Sequence, residues 1–222
     1  MARAIAEVLE ELEMGGSAVG VFDIGCSSFL LGILDIDSVL GPHGRPPDMA
    51  TAIKHIYPNN VVFTVQGDGG LLSIGADPLM GALARAEKIT IIMINNAVYG
   101  TTGGQMAPTS LEGQKTTTTP GGRDVSKHGF PIHAAEMIAT FKGTAYSVRC
   151  AVNNPYNYEQ TRECLKTAFI KQMSGVGFSF VEVLSACPSN WHLSPADALK
   201  WIEEDLMLEF PLGEFKNVDE IE

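Results

Sequence analysis

Residues 61–70 read VVFTVQGDGG, and residues 89–96 read ITIIMINN. Each is a run of β-branched and apolar residues that stops abruptly at glycine or a polar side chain. A strand buried on both faces reads this way, because helices cover a parallel sheet above and below. Between the two runs, residues 77–87 carry helical spacing, and Pro78 suits a first helical position. Strand, helix, strand in that order makes a right-handed crossover between parallel strands. Gly67-Asp68-Gly69 and Asn95-Asn96 then both fall at the carboxyl edge of one sheet, with 25 residues between the two groups. That edge is where open α/β sheets bind ligands.

The flanking sequence extends the same pattern. Upstream, residues 4–12 have the spacing of an amphipathic helix, and residues 19–22 read as a short buried strand running into a turn at 23–28. Asp48 is placed to cap a helix through about His55, which Pro58-Asn59-Asn60 ends. Downstream, residues 97–130 form a stretch rich in Thr, Gly and Pro without periodicity; so long a loop inside a compact domain is usually functional or disordered. Helices are predicted over 131–142, 155–173 and, capped by Ser194, to about Leu208, with strands over 144–149 and 178–184. No repeat and no linker divides the chain. The expectation is one doubly wound α/β domain over residues 1–222, its sheet mainly parallel.

Composition narrows the partners. A formal charge of −11 disfavours nucleic acid and anionic membrane, which reward basic surfaces. No apolar run approaches the roughly 20 residues of a membrane span. Arg3, Glu7, Glu10, Glu11 and Glu13 leave the first residues without a signal peptide's apolar centre. Cys26, Cys150, Cys164 and Cys187 contain no CxxC pair, and a disulfide framework is not expected of such a chain. A cytoplasmic location is the expectation.

A carboxylate (Asp68) and a side-chain carbonyl (Asn96) converging on one sheet edge suit a hard cation that also takes phosphate oxygens and water, as Mg²⁺ does. The glycines allow a diphosphate close to the backbone. A dinucleotide fingerprint would need Gly at position 72, which is Leu72, and no GxxxxGK[ST] run is present. Taken alone, GDG is more simply a tight turn with Asp68 capping it. Asn95-Asn96 at this distance and on this edge reverses that preference.

The pair GDG and NN resembles the thiamine-diphosphate-binding motif. Residues 95–110 (NNAVYGTTGGQMAPTS), 41–54 (GPHGRPPDMATAIK) and 179–191 (SFVEVLSACPSNW) resemble the β subunits of 2-oxoacid:ferredoxin oxidoreductases, and the similarity runs in order from Ile5 to Lys216. The resemblance implies that Asp68, Asn96 and the Val98 carbonyl hold Mg²⁺, and that Gly67, Gly69, Thr102 and Gly103 surround the diphosphate, with Gln105 on the same loop. It brings His43 and Arg45 near the substrate end, although a surface turn with a solvated arginine explains His-Gly-Arg equally well. It implies an α subunit supplying the glutamate that activates the cofactor, ferredoxin as electron acceptor, and a 2-oxoacid and coenzyme A as substrates. The resemblance implies a 2-oxoacid of branched-chain or 2-oxoglutarate type ahead of pyruvate, and the sequence does not choose between them.

Two departures stand out. Relatives open with a CPGCG-like segment whose cysteines, with two later ones, hold a [4Fe–4S] cluster; here only Cys26 and Cys187 match, so the sequence offers a partial ligand set. The alternative reading of both cysteines is as small buried hydrophobes, and Cys150 and Cys164 are read as structural. Gly70 stands where relatives carry a further Asp, and Thr101 where many have Met. Two other functions therefore compete: a non-catalytic remnant subunit, and a thiamine-dependent decarboxylase or synthase subunit without electron transfer.

Overall fold

The computed structural model describes residues 1–221. Seven strands form the central sheet: β1 (Ala18–Phe22), β2 (Asp37–Leu40), β3 (Val61–Gly67), β4 (Thr90–Asn95), β7 (Thr144–Ala151), β8 (Phe178–Leu184) and β9 (Gly213–Asn217). Their order across the sheet is β2-β1-β3-β4-β8-β7-β9, and only the β7–β9 pairing is antiparallel. A separate hairpin pairs β5 (Val98–Tyr99) with β6 (Gln105–Met106). The two runs that announced parallel strands are neighbours, Gly67 lying opposite Ile94.

Both faces of the sheet are covered, which is why β3, β4, β7 and β8 are buried almost throughout. Helices α1 (Ala2–Glu11) and α6 (Pro155–Met173) close one face, with Ile5, Val8, Phe63, Leu165, Phe169 and Val181 in its core. Helices α2 (Pro46–Ile56), α3 (Ala76–Ala84) and α5 (Ala134–Ala139) close the other, around Val62, Leu79, Leu83, Ile91, Ile138 and Phe180. Among the described residues no helix is long and apolar enough to cross a membrane.

Several boundaries differ from expectation, each for a local reason. Helix α2 starts at Pro46 with Arg45 as N-cap, so Asp48 lies in its first turn instead of capping it; two prolines without N–H groups suit the first helical positions. Helix α3 begins at Ala76, which places Pro78 two residues inside, and a π-turn over Gly70–Ile74 joins it to β3. The helix expected over 131–142 shortens to α5, because the Ile132 amide is used by the Pro108 carbonyl. The last helical stretch breaks into α8 (Pro195–Trp201), a π-turn (Ile202–Leu206) and a final turn; Ser194 does cap it, accepting from the Asp197 amide at 3.2 Å. Strands β2 and β9, and a 3-10 segment over Cys26–Gly32, were not foreseen.

Strand β1 sends its chain outward to β2, whereas β3 lies on β1's other side. The carboxyl ends of β1 and β3 therefore diverge at a topological switch point, the crevice in which sheets of this kind hold ligands.

Candidate functional site

A cavity of about 210 Å³ opens at that crevice. The segment after β1 contributes Ile24, Gly25, Cys26 and Ser27; the turn after β3 contributes Gly67, Asp68, Gly69 and Gly70; the stretch from Asn96 to Thr102 supplies the third wall, and His43 the far end. Three loops more than 20 residues apart in sequence thus meet because their strands are adjacent and parallel.

Asp68 is buried on the floor. Burial pushes its carboxyl up to about 7, against the hydrogen bonds from the Thr109 hydroxyl and the Gly69 amide that lower it. Desolvation without an opposing charge is the physical cause. A buried carboxylate in a cavity wall that lacks a cationic partner fits a site for a divalent ion, which would supply the missing positive charge.

Asn95 and Asn96 do different work. The Asn95 side chain points into the protein, donating to Glu182 at 2.7 Å and accepting from the Ala97 amide at 3.1 Å. It braces a turn in which Ala97 takes a positive φ of 55°. Asn96 faces the cavity, its carbonyl held by the Trp191 indole N–H at 3.1 Å and its side-chain oxygen 3.3 Å from the Val98 amide. Glu182 is itself fully buried and paired with Arg149 at 2.9 Å. Burial raises the Glu182 pKa, and Arg149 and the Asn95 amide oppose that rise. The chain Arg149, Glu182, Asn95 therefore carries the sheet's interior order to the cavity rim.

Glycine is required at one further point of contact. A Cβ on Gly69 would run into the Tyr99 ring, whose hydroxyl donates to the Gly69 carbonyl at 3.2 Å. Gly103 takes a φ of 111° at the tip of the hairpin, and Thr102 and Gln105 bond to one another, Oγ1 to Oε1 at 2.6 Å. Of the residues singled out by sequence, Gly67, Asp68, Gly69, Asn96, Val98, Thr102, His43 and Cys26 line one cavity. Gly103 and Gln105 lie just behind Thr102 on the hairpin. Arg45 is elsewhere, paired with Asp77 at 3.0 Å on the protein surface.

The two cysteines flank Gly100, and neither is buried as a small hydrophobe would be: Cys26 is exposed and Cys187 half-buried. A methyl group placed on Gly100 would lie 3.2 Å from the Cys26 sulfur and 3.7 Å from the Cys187 sulfur. Cys26 lies 3.1 Å from the Thr101 hydroxyl, and Cys187 accepts from the Asn190 amide at 3.2 Å. Among the described residues no group of three or more His, Cys, Asp or Glu side chains is arranged to hold a metal ion.

The aperiodic stretch 97–130 is organised around one side chain. Buried Arg123 donates to the carbonyls of Ala107, Pro108, Ser110, Gly129 and Phe130 at 2.5 to 3.4 Å. Those carbonyls come from both ends of the loop that seats Thr109 against Asp68. Arg123→Met leaves several of them without a donor, so a loss of roughly 2 kcal/mol is expected, together with faster proteolytic cleavage within 111–130. Unchanged melting and cleavage would show that the loop does not depend on this residue.

Comparison with known proteins identifies the family. Residues 23–183 match the family model of the thiamine pyrophosphate enzyme C-terminal TPP binding domain. The chain is 37% identical over 215 residues to ketoisovalerate oxidoreductase subunit VorA of Methanothermobacter thermautotrophicus, covering 97% of this chain and 45% of that protein. It is 36% identical over 205 residues to 2-oxoglutarate synthase subunit KorB of Methanothermobacter marburgensis, covering 87% of this chain and 67% of that one. The VorA relative is thus matched over about half its length. A solved 2-oxoglutarate:ferredoxin oxidoreductase from Magnetococcus marinus, with 2-oxoglutarate, coenzyme A and succinyl-CoA bound, superimposes with a TM-score of 0.77 at 22% identity, over 98% of this chain and 79% of that one. This chain belongs to the thiamine pyrophosphate enzymes and, among them, to the thiamine-binding subunits of the 2-oxoacid:ferredoxin oxidoreductases.

Proposed function

We propose that the chain anchors Mg²⁺ and thiamine diphosphate within a multisubunit enzyme that oxidatively decarboxylates a 2-oxoacid to an acyl-CoA and delivers the electrons to ferredoxin. The observation that carries this reading is the buried Asp68 carboxyl, without a cationic partner, in a cavity wall shared with Asn96 and Val98. In this reading the Asp68 carboxylate, the Asn96 side-chain oxygen and the Val98 carbonyl are the protein ligands of Mg²⁺. Gly67, Gly69, Thr102 and Gly103 let the diphosphate approach the backbone, and Gln105 stiffens the hairpin through Thr102. Thiamine diphosphate, when bound, supplies a nucleophilic ring carbon and a sink for the electrons released on decarboxylation.

The chain's own contribution is placement. Asn95, tied to Glu182, holds the turn that presents Asn96; Thr109 orients Asp68; His43 stands at the substrate end. Arg45 reaches the substrate only by leaving Asp77. The glutamate that activates the cofactor is assigned to a partner α subunit, and the assembly is placed in the cytoplasm. Neither a remnant subunit nor a non-redox thiamine enzyme is favoured: the cavity retains its carboxylate, its amide and its glycines, and the matched relatives are named as oxidoreductase subunits or 2-oxoglutarate synthase subunits.

Reconstitution tests the division of labour. The purified chain alone should turn over no 2-oxoacid, and addition of the cognate α subunit should restore ferredoxin reduction dependent on coenzyme A. Robust decarboxylation by the isolated chain would refute it. Cys26 and Cys187 provide half of the four thiolates that a [4Fe–4S] centre ordinarily takes. Purified without oxygen, the 222-residue chain should therefore carry substoichiometric iron; about four irons per chain, with cluster absorbance, would contradict this.

A further inference from the structure

Asp23 follows β1 directly, is fully buried, and takes no part in the cation site described above. Its two carboxylate oxygens live in different surroundings. Oδ1 accepts from the Ile24 amide at 2.9 Å and the Gly44 amide at 2.8 Å, and lies 3.2 Å from His43 Nδ1. Oδ2 is buried and has no hydrogen-bond partner among the described residues. A Cβ on Gly70 would overlap Oδ2, and would come within 3.0 Å of His43 Cε1. The carboxylate of Asp23 thus occupies the space that any side chain at position 70 would take.

These contacts decide the state of the imidazole. Two backbone N–H groups already donate to Oδ1, so that oxygen is an acceptor, and the shared hydrogen must sit on His43 Nδ1. In a neutral ring Nε2 then carries no proton and is the nitrogen left for a ligand. His43 lines the cavity, and its side chain is 36% exposed. We infer that Asp23 is a positioning residue that holds His43 by Nδ1 and leaves Nε2 for the 2-oxoacid, and that Gly70 is glycine because the Asp23 carboxylate fills its side-chain space. The carboxylate at this end of the cavity is supplied from the end of β1 instead of from the turn after β3. Only the choice of ligand rests on the function proposed above; the Asp23–His43–Gly70 arrangement does not.

Nitrogen-15 spectra of the histidine rings in the isolated chain, under alkaline conditions that keep them neutral, read the arrangement without any cofactor, with His43 assigned through His43→Gln. Wild type should show the proton on Nδ1. Asp23→Ala should abolish that pattern, and Asp23→Asn, which keeps an acceptor oxygen, should preserve it. Gly70→Ala should abolish it too, by displacing the carboxylate while leaving both partners in the sequence. Gly70→Ala should cost less stability in the Asp23→Ala background than in wild type, because the overlap with the carboxylate is gone and only the His43 contact remains. With the partner subunit present, Asp23→Ala should lower kcat/KM for the 2-oxoacid about tenfold or more, the scale of other supporting-residue losses. Mg²⁺-dependent thiamine diphosphate affinity should stay within about threefold, since its ligands lie on other loops. A wild-type proton on Nε2, or an unchanged ring pattern in Asp23→Ala or in Gly70→Ala, overturns the inference. Absence of thiamine diphosphate binding by wild type would defeat the functional reading instead, and the ring spectra would still decide the pair.

Discussion

Asp68→Asn should abolish Mg²⁺-dependent binding of thiamine diphosphate, by about 100-fold or more, while making the metal-free protein more stable above neutral pH. Both effects come from one carboxyl. Its ordinary pKa is 3.8 and its folded value is about 7. Between those values the unfolded chain sheds a proton that the folded chain keeps, so stability is full at low pH, falls as pH rises through the window, and levels off above about pH 7. A shift of this size corresponds to on the order of 4 kcal/mol. Asparagine has no proton to lose, keeps an acceptor for the Thr109 hydroxyl, and should remove that decline. Thermal melts across this pH range, paired with calorimetric titration of the cofactor, check both halves. A variant that binds the cofactor as wild type does would set Asp68 aside as the cation ligand, and one whose stability follows the wild-type pH profile would show that another group causes the decline.

The second large effect is expected at Arg149, whose side chain is fully buried between Glu182 and Glu136. Its Nη1 also donates to the Pro211 carbonyl at 3.0 Å, and the Phe210 and Phe215 rings lie 5.2 and 5.0 Å from its guanidinium carbon. Such a pair owes its retention to complete pairing, because the cost of removing both charges from water is large. Arg149→Met strands Glu182 in the interior, and a loss of about 3–5 kcal/mol is expected. Glu182 also holds Asn95, so the turn presenting Asn96 should loosen and cofactor affinity should fall with stability. The double variant Arg149→Met/Glu182→Gln should regain most of the stability, since no charge is then left unpaired. Denaturant unfolding of the three proteins measures this; a single variant losing less than about 1 kcal/mol contradicts the assignment.

The parts of this architecture legible in the sequence are those where one force acts alone. VVFTVQ, ITIIMI and FSFVEVL are buried on both faces, so their apolar runs mark them without knowledge of neighbours. Helix α6 begins and ends where expected, with Asn154 capping it by accepting from the Asn157 amide at 2.8 Å. The edge strands escaped notice because DSVL and GEFKN are half-exposed and need only one partner. Thr109 and Arg123 lie in a segment whose order comes from side chains capturing carbonyls, a pattern with no period to detect. Asp23 was within reach of the argument that found Asp68, since it is a carboxylate directly after a buried strand at the same sheet edge. Its pairing with His43, however, depends on β2 returning the chain beside β1.

The most direct test of the central claim is calorimetric titration of thiamine diphosphate into the wild-type chain, once with Mg²⁺ and once with excess chelator. The account predicts saturable binding at about one cofactor per chain with the ion and none without it, because the diphosphate meets the protein through a cation held by Asp68, Asn96 and Val98. Equal binding under both conditions, or no binding with Mg²⁺ present, would contradict it.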